Sequence, residues 1–91
     1  MIEESDRVSD QARVAAQVRR MLAQVLDVPE ASVGPELSSS SSAAWTSLNH
    51  LMLISQLETE FGVVFSNQEI RQLTSYTAII DTLGRRLDSA R

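Results

Sequence analysis

Apolar residues recur along the chain at helical spacing, and no stretch alternates as a strand would. Val14, Val18, Met21, Leu22, Val25 and Leu26 fall on one face of a helix that the pattern starts at Ser9 or Asp10 and that Pro29 stops within a turn. A second apolar pattern runs through Leu48, Leu51, Leu53, Ile54, Leu57 and Phe61, with Thr46 or Ser47 as its N-cap and Gly62 as its stop. Ser66-Asn67-Gln68-Glu69 has the spacing of a capping box, which predicts a short helix burying Ile70 and Leu73. Thr74 or Ser75 caps a last helix, in which Tyr76, Ile79, Ile80, Leu83 and Leu87 share a face. The expected fold class is therefore all-α: a small four-helix bundle of three longer helices and one short one.

A long connection from Asp27 to Trp45 joins the first two helices. Ser38 to Ser42 is an unbroken serine run without a hydrophobic anchor, so the segment 34–44 is expected to be mobile, pinned at its ends by Leu37 and Trp45. The ordered core is expected over residues 9–87, with frayed ends from Met1 to Val8 and from Arg85 to Arg91.

The second helix carries more apolar residues than one buried face needs. At about 100° per residue, Leu53, Leu57, Phe61 and Ile54 share an arc, while Leu48 and Met52 fall nearly opposite, beside Ser47. Two exposed apolar side chains next to a hydroxyl are the makings of a small docking face. Trp45 has two readings, one in which it folds the loop onto the helices and one in which part of its indole stays exposed to help a partner find Ser47.

Composition and charge exclude several classes. Ninety-one residues form one domain, and with no cysteine there is neither a disulfide framework nor a thiol nucleophile. One histidine and no cysteine make a poor transition-metal site. No apolar run approaches the roughly eighteen residues that span a bilayer, and the N-terminus is acidic where a signal peptide is basic, so the chain reads as a cytoplasmic protein with no membrane partner. All eight basic residues are arginines, none between Met21 and Ile70, and that interval holds Asp27, Glu30, Glu36, Glu58, Glu60 and Glu69. Such a middle disfavours nucleic acid and favours a basic protein surface. Ser47 and His50 stand at i, i+3, but no third group orients the histidine and no glycine-rich oxyanion turn accompanies them, so the expected protein is not an enzyme.

The pattern Ser47-Leu48, Leu53 or Ile54, Leu57-Glu58, Phe61-Gly62 and Val63-Val64 resembles the second helix of the acyl and peptidyl carrier protein family. The similarity extends from about Val14 to Leu87. The resemblance implies a monomeric carrier with 4'-phosphopantetheine attached covalently to Ser47. It also implies two kinds of partner, a phosphopantetheinyl transferase and the enzymes that load and consume acyl or aminoacyl cargo. Trp45, Thr46, Leu48 and Met52 would supply contact with those partners, and Glu58 in the acidic middle long-range steering. The pathway stays open among fatty acid, polyketide and nonribosomal peptide synthesis, as does the choice between a discrete carrier and a piece of a larger synthase. In the family an acidic residue usually precedes the serine, and here that position is Thr46. The alternative is therefore a carrier-like docking module that has no arm.

Overall fold

The computed structural model describes the backbone of residues 2–89 and the side chains of residues 11–87. Its four helices are α1 (Ile2–Leu26), α2 (Ser47–Phe61), α3 (Asn67–Gln72) and α4 (Tyr76–Ser89), with one 3-10 turn, Glu30–Ser32, in the long connection. They form a small helical bundle, and among the described residues there is no strand beyond a single antiparallel pairing of Ser38 with Ser75.

The first helix begins earlier than the apolar pattern placed it. Its backbone is helical from Ile2 rather than from Ser9 or Asp10. Neither glycine nor proline occurs before Pro29, so nothing in the first turns interrupts the helix even where they lack an apolar face. The last helix likewise continues to Ser89, through the stretch expected to fray; Met1, Ala90 and Arg91 lie outside the described residues.

The helix ends are chemically defined. Asp27 takes a left-handed conformation (φ 57°), and the Val28 N–H donates to the Ala23 carbonyl at 3.0 Å, closing α1. Gly62 does the same for α2 at φ 66°, with the Val63 N–H reaching the Glu58 carbonyl at 3.2 Å. Ser66 and Glu69 make the expected capping box of α3. Ser75 caps α4, its hydroxyl accepting from the Ala78 N–H at 3.0 Å.

Val18, Leu22, Leu53, Leu57, Leu73, Ile79 and Leu83 are fully buried, and α1 packs against both α2 and α4. The link from α2 to α3 alternates, with Val63 and Phe65 buried and Val64 exposed. Arg86 fastens this corner from α4. It donates to the Val64 carbonyl at 2.7 Å and to the Glu69 carboxylate at 2.6 Å, and its guanidinium stands 5.9 Å from the centre of the Phe65 ring.

The long connection has more anchors than Leu37 and Trp45. Val33 is buried, and Val28 and Ala44 are partly buried against the core. The serine run also has partners. The Ser39 N–H donates to the Thr74 carbonyl at 2.8 Å, and the Tyr76 N–H donates to the Leu37 carbonyl at 3.1 Å. The Ser41 hydroxyl accepts from the Ser38 N–H at 2.9 Å and donates to the Ser38 carbonyl at 3.1 Å, folding the run into a compact turn.

Candidate functional site

Ser47 is the first residue of α2, and it is exposed. Thr46 is the N-cap, extended at φ −83° and ψ 170°, and its hydroxyl accepts from the Asn49 N–H at 3.1 Å. The Asn49 side-chain amide donates backward to the Ala44 carbonyl at 2.7 Å, so the chain entering the helix is held on both sides of Trp45. The first N–H groups of an α-helix have no acceptor within the helix, and they lend its N-terminus a partial positive charge. Ser47 stands in that field on a fixed backbone.

The face beside it is apolar. Leu48 is 68% exposed, Leu51 60% and Met52 44%. Leu48 and Met52 are where the helical pattern placed them; Leu51 is an addition. Its spacing from Leu48 and Ser47, i+3 and i+4, was the signal that joins it to this face rather than to the core arc. A groove of about 340 Å³ opens next to the serine, lined by Ser39, Trp45, Thr46, Ser47, His50, Leu51 and Thr74.

Trp45 serves this groove as a wall. Trp45 is only 7% exposed, which favours the reading in which it folds the loop onto the helices. Its Nε1–H donates to Nδ1 of His50 at 3.0 Å, and Nε2 of His50 lies 2.7 Å from the Ile70 carbonyl. Both ring nitrogens are thus engaged, and neither is available to draw the proton from Ser47.

Glu58 has a structural partner as well. Its carboxylate accepts from the Phe65 N–H at 2.9 Å and braces the turn after α2. At a rise of about 1.5 Å per residue, it stands roughly 16 Å along the helix from Ser47. Glu60, beside it, accepts from the Gln17 amide at 3.1 Å. From Ser47 to Leu57 the helix carries no carboxylate at all, so contact there is left to apolar and neutral side chains.

Among the described residues no three His, Cys, Asp or Glu side chains converge as metal ligands, and no helix is long and apolar enough to cross a membrane. No family model matches the chain.

Proposed function

We propose that the chain is a carrier protein, with Ser47 as the attachment point of a 4'-phosphopantetheine arm. One observation carries the reading: an exposed serine opens a helix whose next turn exposes three large apolar side chains, Leu48, Leu51 and Met52. A serine serving only to start a helix needs no such surroundings.

The residues present fit the group. Ser47 is reachable, the helix N-terminus favours the phosphodiester's negative charge, and the adjoining groove offers room along Trp45, Leu51 and Thr74. When bound, the arm supplies a thiol that holds a carboxylic acid, acyl or aminoacyl, as a thioester. The protein itself provides placement. Thr46 and Asn49 fix the start of α2, and Leu48, Leu51 and Met52 form the contact for the transferase and for enzymes that load or consume the cargo. The chain does no chemistry of its own in this scheme.

A second reading is favoured by Thr46, which caps the helix with a hydroxyl and leaves no carboxylate beside Ser47. On that reading the same face is a docking module and is never modified.

Incubation with coenzyme A, magnesium and broad-specificity phosphopantetheinyl transferases, followed by intact mass, separates the two. The carrier reading expects a gain of one phosphopantetheine that Ser47→Ala abolishes. A folded protein that gains nothing from several transferases would overturn the carrier reading and point to the docking module.

A further inference from the structure

We infer that His50 is a proton-operated latch on Trp45. An indole N–H can only donate a hydrogen bond and a backbone carbonyl can only accept one. His50 lies between one of each, with Nδ1 at 3.0 Å from the indole nitrogen and Nε2 at 2.7 Å from the Ile70 carbonyl. Only the neutral ring with its hydrogen on Nε2 satisfies both partners. The histidine joins the loop, α2 and α3 through this one pair of bonds.

A second proton can enter only at Nδ1, where it would face the indole N–H. Two donors then oppose each other, and a buried N–H loses its acceptor. Among the described residues the ring bonds only to Trp45 and Ile70, neither of which is charged. On its own helix the first carboxylate is Glu58, taken by the Phe65 N–H. On α3, Glu69 is bonded to the Ser66 N–H and Arg86, and Arg71 is exposed. On the loop side the groove lining is Ser39, Trp45, Thr46 and Thr74, none of which titrates near neutrality. Proton uptake by His50 and the bond to Trp45 therefore exclude each other.

The consequence is local. The bonds from Asn49 to Ala44 and to Thr46 do not involve the histidine, so the start of α2 and Ser47 keep their place. What moves is the indole wall, and the groove beside Ser47 widens as it lets go. The inference does not depend on modification of Ser47 and is tested on the unmodified chain.

The protein has a single histidine and a single tryptophan, so each reports without assignment. The experiment follows the His50 ring nitrogens by NMR, together with the Trp45 indole resonance, emission and acrylamide quenching, from about pH 8 to about pH 5. The expected result is the Nε2–H tautomer at the upper end, Trp45 signals that move with the midpoint of the histidine, and severalfold stronger quenching at the lower end. In His50→Gln the amide can accept from Trp45 and donate to Ile70, so its Trp45 signals should stay flat. An Nδ1–H tautomer at high pH, or an indole unmoved while His50 takes up its proton, would overturn the latch. The same movement in a folded His50→Gln would overturn it too; if that variant does not fold, the two wild-type readouts decide.

Discussion

The guanidinium of Arg86 meets the carboxylate of Glu69 at 2.6 Å, and the same arginine donates to the Val64 carbonyl at 2.7 Å. One side chain of α4 thus holds both α3 and the link that leads into it. The Ser66 backbone N–H, and after it Arg86, hold the Glu69 carboxyl below its ordinary value of 4.5. A carboxylate whose value is lowered by folding contributes stability that is present above the unfolded value and is lost as pH falls through the folded one. The melting temperature of wild type should therefore exceed that of Glu69→Gln by a constant margin above the unfolded value of 4.5, and the margin should close below it. Arg86→Ala should cost about 1 kcal/mol at neutral pH, since the pair is partly exposed and screened. Thermal melts in a pH series check both.

Thr46 has a structural duty separable from any recognition. Removing its hydroxyl in Thr46→Ala should cost about 1 kcal/mol in denaturant unfolding. Thr46→Asp keeps a capping oxygen and should leave stability within about 0.5 kcal/mol. If a carboxylate next to Ser47 matters to the transferase, Thr46→Asp should also be modified faster than wild type. An unchanged rate would show that the hydroxyl suffices.

Leu51 and Leu53 are two positions apart on one helix and face opposite fates, one 60% exposed and the other fully buried. Leu53→Ala should cost about 2–5 kcal/mol through a core cavity. Leu51→Ala and Met52→Glu should stay within about 0.5 kcal/mol of wild type, as exposed substitutions do. On the carrier reading the functional effects should run the other way, with Met52→Glu slowing acyl transfer from a loading enzyme that accepts the wild type. Equal transfer by a folded Met52→Glu variant would remove this face from the docking surface.

Gly62 closes α2 at φ 66°, a conformation that costs an L-residue roughly 1–2 kcal/mol. A Cβ there would meet nothing within 4 Å, so Gly62→Ala isolates the backbone cost from any clash. Unfolding should show a loss of about 1 kcal/mol, and Gly62→Asn, which tolerates this region better, a smaller one.

The helices were legible because their causes are local. Periodic leucines, the Ser66–Glu69 box and Gly62 all act within a few residues of where they stand. Apart from the outer turns of α1 and α4, what escaped the reading was set by distant backbone. The pairing of Leu37–Ser39 with Thr74–Tyr76 runs through main-chain groups, which leave no pattern in side-chain type. The same holds for His50, whose second partner is the carbonyl of Ile70, and for Glu58, whose partner is the N–H of Phe65. Such bonds are open to almost any residue at the accepting or donating position. Around Ser47, the exposed face was readable at Leu48 and Met52, and Leu51 followed the same spacing. The burial of Trp45 depended on a partner the spacing could not name.

The contact of Ser38 with Ser75 divides the long connection into two spans of unequal tolerance. Between Asp27 and Leu37 the chain must arrive at the start of α4 in register, so an added residue there would displace the Tyr76 N–H from its acceptor. Past Ser41 the chain returns to Trp45 through one short turn, in which the Trp45 N–H donates to the Ser42 carbonyl at 3.1 Å, and closing a slightly longer loop costs a fraction of a kcal/mol, on the order of 0.6 for each doubling. The natural place to splice in a reporter or a tether a few residues from Ser47 is therefore Ser42–Ala43, where the insertion gives up that one turn bond and leaves the pairing with α4 in place.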